Sequence, residues 1–143
     1  MTALSSETLH ASCVAIGGRA VLIEGRSGTG KSDLALRLID RGAALVSDDY
    51  TLLRRSGTAL IASPPATIAG RIEVRGIGIV EMPHVTDMPV ALIVGIEDSP
   101  ERLPLEPHTR RIAGVAIPSA AVAALEPSAP IKVELALARS ASR

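Results

Sequence analysis

The amino-acid sequence predicts an α/β fold in which a glycine-rich loop joins a buried strand to a helix within a mixed, β-rich sheet. A continuous apolar run over residues 20–24, typical of a strand covered on both faces, leads directly into the glycine-rich segment. Helical apolar spacing follows this segment, and short strand-like runs follow residue 50. All 10 prolines lie after position 63, which disfavours long helices in that half of the chain.

An antiparallel hairpin is predicted near the N-terminus. Residues 12–16 and 20–24 are short apolar runs joined by Gly17 and Gly18. Two adjacent glycines accept the positive φ angles that tight hairpin turns need. The residues that precede this hairpin are expected to be frayed.

A helix of about three turns is predicted to begin at Lys31. Leu34, Leu38 and Arg41 lie on one face at helical spacing. Gly42 follows them and offers a left-handed stop. The helix therefore starts where the glycine-rich segment ends.

The rest of the chain is predicted to form mainly strands. Residues 43–49 read as a buried strand with two acids at its C-terminal end, where open α/β sheets place their ligands. Residues 130–140 allow either a short helix or a strand, and Pro130 favours the helix because proline suits a first helical turn. Further strands are predicted at residues 50–55 and 58–63, joined by Ser56 and Gly57, and at residues 71–76 and 89–97.

The composition excludes several classes of function. The 143 residues are most simply one domain spanning positions 1–143, and 15 basic and 15 acidic residues leave no net charge. No polyanion-binding surface is therefore indicated. One Tyr, with no Phe or Trp, removes the stacking platforms of single-stranded nucleic-acid binders. We expect no nucleic-acid partner.

The cellular compartment is inferred from what the sequence lacks. Cys13 is the only cysteine, so an internal disulfide or a cysteine-based zinc site is impossible, and a reducing environment fits. The N-terminus has no basic segment followed by an apolar run, and no uninterrupted apolar stretch approaches about 18 residues. We predict a soluble, cytoplasmic protein with no membrane partner.

The pattern glycine, four residues, glycine, lysine, serine occupies positions 25–32, between the predicted strand and helix. Main-chain N–H groups of such a segment converge on phosphate oxygens. Its lysine neutralises the terminal phosphates, and its serine hydroxyl can coordinate Mg²⁺. An incidental glycine-rich turn is the alternative. We name this segment the phosphate loop and predict that it binds nucleotide or phosphate through Gly25, Arg26, Ser27, Gly28, Thr29, Gly30, Lys31 and Ser32.

Two adjacent acids, Asp48 and Asp49, follow the phosphate loop after one helix and one strand. That connection returns the chain to the sheet edge beside the loop. A carboxylate there can hold Mg²⁺, while a second one takes a proton from an incoming nucleophile. The alternative is a turn or a helix cap, since Asp favours both.

Two segments resemble one known family, HPr kinase/phosphorylase. The stretch "GRSGTGKSDLALRLIDRGAALVSDD", residues 25–49, resembles the catalytic core, with its form G-x-S-G-x-G-K-S, A-L-x-L, R-G and a strand ending in D-D. The stretch "IEVRGIGIV", residues 72–80, is similar to the family segment L/I-E-I/V-R-G-x-G. The resemblance covers residues 9–100 well, whereas residues 101–143 diverge. It implies the P-loop fold shared by HPr kinase and PEP carboxykinase.

The resemblance also implies an activity. Family members transfer a phosphoryl group from ATP or pyrophosphate to a serine of the phosphocarrier protein HPr, and a reverse phosphorylase reaction uses inorganic phosphate. Such an enzyme needs Mg²⁺ and regulates a phosphotransferase system. The expected assembly is a homo-oligomer, a hexamer by resemblance. The chain looks like a short form without the additional N-terminal domain of full-length members.

Site residues follow from the resemblance, position by position. Lys31 matches the loop lysine and Ser32 a magnesium ligand. Asp49 matches the base for phosphorylation, which acts as the acid in the reverse step. Asp48 supports the metal site, and Glu73 is the second candidate magnesium ligand.

Three further expectations rest on the same resemblance. His10 matches an active-site histidine upstream of the loop, although a surface or capping role is the alternative. Arg75 lies in the segment that serves both directions, and with Glu73 it can instead form a surface ion pair. The segment "LEPSAPIKVELAL" lacks an arginine found near the family's C-terminus, so either Lys132 or Arg110 replaces it or no residue does.

Two other functions stay open at this point. One is a catalytically reduced regulator that senses nucleotide or phosphate and binds a phosphocarrier without phosphorylating it. The other is a kinase for a small molecule, built on a similar loop. No adenine- or guanine-reading motif in the sequence identifies the phosphoryl donor.

Overall fold

The computed structural model describes residues 5–141, which form eleven strands and two helices. In chain order these elements are β1 (Ser6–Leu9), β2 (Ala11–Ile16), β3 (Arg19–Glu24), α1 (Lys31–Asp40), β4 (Ala44–Ser47), β5 (Thr51–Ser56), β6 (Ala59–Ser63), β7 (Arg71–Val74), β8 (Gly78–Glu81), β9 (Met88–Ile96), β10 (His108–Ile112), β11 (Val115–Val122) and α2 (Ala129–Ala141).

Nine of the strands between residues 5 and 141 belong to one mixed sheet. Its order is β1-β5-β6-β9-β3-β2-β4, and β11 pairs with both β9 and β10. Strands β3, β9 and β11 run parallel, whereas β2 runs antiparallel to β3 and β4. Strands β7 and β8 form a separate hairpin. The predicted mixed, β-rich α/β fold is confirmed, and the phosphate loop follows β3 at the edge where the parallel strands end.

Alternate residues of the central strands face two separate cores. On one face, Val14 of β2 belongs to a buried cluster with Leu38 of α1 and Val133 of α2. On the other face, the adjacent Cys13 shares a cluster with Leu53 of β5, and burial raises the pKa of its thiol. Because side chains alternate along a strand, one face of the central strands packs against α1 and α2, and the other packs against side chains of β5 and β6 from the same sheet.

Helix α1 begins and ends where the sequence predicts. Its buried residues Leu34, Ala35 and Leu38 recur at helical spacing and face the sheet. Gly42 has a φ of 112°, and its N–H donates to the Ile39 carbonyl at 3.0 Å. A positive φ after the last turn suits glycine, which has no Cβ to clash.

The C-terminal segment forms helix α2, so the helical alternative is correct. Pro130 lies in its first turn, where the missing N–H has no partner to lose. Val133 and Leu137 are buried one turn apart and dock the helix onto the sheet. In the described part of the chain, neither helix is long and apolar enough to cross a membrane.

Arg37 of α1 and Arg41, the residue that follows α1, connect this helix to α2 and to the chain just before α2. The Arg41 guanidinium donates to the Glu134 carboxylate at 2.7 Å, and this pairing raises the pKa of Arg41. The Arg37 guanidinium donates to the main-chain carbonyls of Ala124 and Glu126. These contacts hold the connection between β11 and α2 beside α1.

Four strands were not predicted from the sequence: β1, β8, β10 and β11. The expectation of a frayed start is wrong for Ser6–Leu9, which pairs antiparallel with β5, while residues 1–4 lie outside the described chain. Strand β11 contains Pro118 and three alanines, residues of low strand propensity. It forms because β9 and β10 pair with it, which is a non-local effect.

Replacing Leu137 by Ala should lower the free energy of unfolding by about 2–5 kcal/mol, because this side chain is only 1% exposed. Leu135→Ala is the matched control: it makes the same change where the side chain is 64% exposed, and should cost less than about 0.5 kcal/mol. Urea unfolding followed by far-UV circular dichroism measures both values. Equal losses would show that α2 does not dock through the face containing Leu137.

Candidate active site

The phosphate loop is shaped by its glycines. A Cβ on Gly25 would lie 2.7 Å from Thr29 Oγ1 and 3.1 Å from Ile96 Cβ, so any other residue there would require Thr29 or Ile96 to shift. Gly28 and Gly30 have φ angles of 81° and 102°. Since L side chains rarely adopt positive φ, the conformation needs glycine at both positions.

Lys31 is the first residue of α1 and is 6% exposed. Its Nζ donates to the main-chain carbonyls of Gly25 at 2.9 Å and Arg26 at 3.3 Å. A buried ammonium is costly unless its donors are paired, and here the loop itself provides acceptors. The positive charge is therefore held inside the phosphate loop.

Asp48 joins three parts of the chain. It is 7% exposed and lies in the bend that follows β4. Its Oδ1 accepts hydrogen bonds from the hydroxyls of Ser32, at 2.6 Å, and Ser12, at 3.0 Å. Its Oδ2 accepts one from the main-chain N–H of Glu73, also at 3.0 Å. The carboxylate thus links α1, β2 and β7.

Asp49 points the opposite way because the backbone reverses at this residue. Its φ is 67°, and the N–H of Tyr50 donates to the carbonyl of Asp48 at 2.7 Å, which closes a three-residue turn. The Ser47 hydroxyl donates to the Tyr50 carbonyl. The side chain of Asp49 is 54% exposed, so the two acids occupy different environments.

His10 lies between β1 and β2 and reaches the exposed acid. Its Nε2 is 2.8 Å from Asp49 Oδ1. Its ring stacks on Tyr50, with centroids 4.8 Å apart and planes 20° from parallel. The His10 ring is 40% exposed and has a specific carboxylate partner.

The hairpin of β7 and β8 carries the remaining expected residues. Glu73 contributes its main-chain N–H to Asp48, while its side chain is exposed. Arg75 is exposed in the turn between the two strands, and the ion pair with Glu73 that the spacing allowed is not formed. Over residues 5–141, no three His, Cys, Asp or Glu side chains converge as a metal-binding group.

Arg110 and Lys132, the two candidates to replace the arginine found near the family's C-terminus, both form ion pairs. Arg110 of β10 forms an ion pair with Glu24, the residue immediately before the phosphate loop. Lys132 of α2 donates to Glu126 Oε2 at 3.1 Å. Both side chains are therefore neutralised by neighbouring carboxylates.

Ser12 and Tyr50 were missed as site residues. Ser12 is 0% exposed within the apolar run of β2. A serine in such a run indicates a specific hydrogen bond, because a hydroxyl in a buried strand needs a partner. Tyr50 is the only aromatic residue among Phe, Trp and Tyr in the whole sequence. Its position next to two acids is the sequence feature that indicates a place in the site.

Comparison with known proteins gives the family. The family model described as HPr Serine kinase C-terminal domain matches residues 2–133. The chain belongs to this family. An HPr kinase/phosphorylase of Chlorobium luteolum is 38% identical in an alignment over 123 residues that covers 76% of this chain and 37% of the relative. An HPr kinase/phosphorylase of Clostridium botulinum is 48% identical over 80 residues, 55% of this chain and 26% of the relative.

The family assignment extends to the three-dimensional structure. The chain superposes on the HPr(Ser) kinase/phosphatase from Coxiella burnetii with a TM-score of 0.80 and 33% identity, covering 95% of this chain and 96% of that one. The curated HPr kinase relatives are longer, and the chain spans between 26% and 38% of their length. The expected relation to HPr kinase/phosphorylase and its fold is confirmed.

Asp48→Ala should lower the free energy of unfolding by at least about 1–3 kcal/mol, because it leaves three donors without their acceptor. Asp40→Ala, at the exposed end of α1, is the control and should change it by less than about 0.5 kcal/mol. Chemical denaturation of both variants tests this difference. A tolerated Asp48→Ala would mean that its three hydrogen bonds do not stabilise the fold.

Proposed function

We propose that the protein is an ATP-dependent protein serine kinase that phosphorylates a serine of an HPr-like phosphocarrier protein. One observation carries the proposal: of two adjacent carboxylates, Asp48 bonds to the Ser32 hydroxyl at the phosphate loop and Asp49 faces His10 in solvent. This is the division between metal-holding and proton-accepting groups that phosphoryl transfer to a hydroxyl requires. Family membership supports the same reaction.

The phosphate loop is the proposed binding site for the β- and γ-phosphates of ATP. Gly28 and Gly30 present backbone without side chains, and α1 begins directly behind them at Lys31. A helix N-terminus carries free N–H groups and partial positive charge, which favour an anion. The Lys31 ammonium, now bonded only to loop carbonyls, provides the charge that neutralises the terminal phosphates.

Ser32 and Asp48 are the groups proposed to hold Mg²⁺. Their side-chain oxygens lie 2.6 Å apart. One hydroxyl and one carboxylate suit this ion, which takes few protein ligands and completes its shell with water and phosphate oxygens. When bound, Mg²⁺ supplies charge neutralisation at the phosphates. Glu73 stays the second candidate ligand, since its main chain already contacts Asp48.

Asp49 is the proposed general base. The serine oxygen of the phosphocarrier forms a bond to the γ-phosphorus, the bond from that phosphorus to the β–γ bridging oxygen breaks, and the serine proton passes to Asp49. ADP is the leaving group. The bond from His10 Nε2 orients the carboxylate and leaves its second oxygen accessible. Because this carboxylate is exposed to solvent, a serine on the surface of a protein substrate can reach it.

The reverse reaction is proposed to use the same groups. Inorganic phosphate attacks the phosphoserine phosphorus, the bond to the serine oxygen breaks, and protonated Asp49 returns a proton to that oxygen, so pyrophosphate is released. Arg75 is the proposed group for stabilising charge on the transferring phosphoryl, because its exposed guanidinium has no ion-pair partner in the described chain.

A binding-only regulator is the second candidate. It is favoured by the ion pairs of Arg110 with Glu24 and of Lys132 with Glu126, which occupy the cations available to replace the family's C-terminal arginine. Such a protein would bind a phosphocarrier more tightly with nucleotide present and leave it unmodified. Labelling of the phosphocarrier with ³²P from ATP distinguishes the two functions.

Asp49→Asn should reduce phosphoryl transfer by about 10²- to 10⁴-fold, because the amide cannot accept the serine proton. Asn tolerates positive φ, so the turn should persist. Asp40→Asn is the matched control and should retain the wild-type rate. The rate of ³²P transfer to an HPr-like protein measures both. An Asp49→Asn variant with full activity contradicts the assignment, and a wild-type protein that binds ATP without labelling any phosphocarrier contradicts the kinase proposal.

Transfer should stop when a chelator removes Mg²⁺. Ser32→Ala should raise the Mg²⁺ concentration for half-maximal rate by about 10-fold or more, since even outer-shell partners of a metal contribute that much. Ser63→Ala, whose hydroxyl contacts Asp87 instead, is the control. Mg²⁺ titrations of the transfer rate give the comparison. Identical titration curves for all three proteins would remove Ser32 from the metal site.

A further inference from the structure

We propose that Ser12 is a positioning residue that holds Asp48 and Asp49 in opposite orientations. The proposal rests on the proposed function, because it concerns how that site is built. Ser12 Oγ donates to Asp48 Oδ1 at 3.0 Å and accepts from the main-chain N–H of Asp49 at 3.1 Å. One hydroxyl therefore contacts the side chain of the first acid and the backbone of the second.

The turn at Asp49 needs such support. A non-glycine residue at a φ of 67° is in an uncommon conformation, which persists only where the surroundings determine it. Two hydroxyls bracket the turn: Ser12 bonds to the N–H of Asp49, and Ser47 bonds to the carbonyl of Tyr50. Both come from strands of the rigid sheet, β2 and β4. The sheet thereby sets the direction of the Asp49 side chain.

The sequence of β2 shows that Ser12 is unusual at its position. The strand reads ASCVAI, and its other residues are apolar, as the buried centre of a sheet requires. A hydroxyl that is 0% exposed costs free energy unless it is hydrogen-bonded. Alanine would fill nearly the same space but would leave the Asp49 N–H without this acceptor and Asp48 with one donor fewer. The hydroxyl thus matters for orientation rather than for packing.

Thr51 offers a matched comparison within the same pair of chain segments. It is also 0% exposed, and its Oγ1 donates to the Ala11 carbonyl at 2.8 Å. Its hydroxyl contacts neither acid. Thr51→Val keeps the side-chain shape and removes one buried hydrogen bond. The Thr51→Val variant therefore measures how much kcat falls when a buried hydroxyl near Ser12 that contacts neither acid is removed.

Tyr50 provides a signal that is independent of activity. It is the only tyrosine, and the chain has no tryptophan or phenylalanine. Near-UV circular dichroism and tyrosine emission therefore report on one side chain, which lies in the turn and stacks on His10. A turn that relaxes changes both signals even if no phosphoryl transfer is measured.

The experiment compares wild type, Ser12→Ala, Ser12→Thr and Thr51→Val. For Ser12→Ala we expect kcat for phosphocarrier labelling to fall by about 10- to 100-fold, the effect of a misplaced catalytic group, with the KM for ATP within about three-fold. The Tyr50 signals should change. Ser12→Thr, which keeps the hydroxyl, should recover most of kcat, and Thr51→Val should retain both kcat and the Tyr50 signals. Ser12→Cys replaces Ser12→Ala if the latter does not fold.

Three results would overturn the proposal. The first is a folded Ser12→Ala with wild-type kcat and Tyr50 signals. The second is a Thr51→Val that loses as much kcat as Ser12→Ala, which would make the effect one of general stability. The third is a folded Ser12→Thr no more active than Ser12→Ala. A wild-type protein that labels no phosphocarrier overturns the kinase proposal itself, whereas labelling with an unaffected Ser12→Ala overturns only the role of Ser12.

Discussion

The structure of the site depends on one buried carboxylate. Asp48 accepts three hydrogen bonds, from Ser32 at the start of α1, Ser12 in β2 and the backbone of Glu73 in β7. A buried charge is stable only when such partners surround it, so these segments must be in place together. The two sequence motifs, residues 25–49 and 72–80, meet at this side chain although they are separate in the chain.

The adjacent acid shows how one residue of backbone can change the chemistry of a side chain. Asp49 follows Asp48 directly, yet a positive φ turns it toward solvent and His10. Neighbouring carboxylates thereby receive different partners: hydroxyls and an amide for one, an imidazole for the other. Different environments are what allow chemically identical groups to take different roles in catalysis.

A solved HPr(Ser) kinase/phosphatase shares the fold over nearly all of both chains at 33% identity. The two longer curated relatives match over 55% and 76% of this chain. In the C-terminal part of this chain, Arg110 pairs with Glu24 beside the loop and Lys132 pairs with Glu126.

The sequence by itself determined the features that depend on neighbouring residues: the phosphate loop, helix α1 with its stop at Gly42, the hairpin of β2 and β3, and the presence of two acids after β4. Local spacing and backbone preference are enough for these. Only the tertiary structure decided that β1 and β11 form strands, that Asp48 turns inward and Asp49 outward, and that Ser12 contacts both. Each of these results from contacts between residues far apart in the chain, which no local pattern contains.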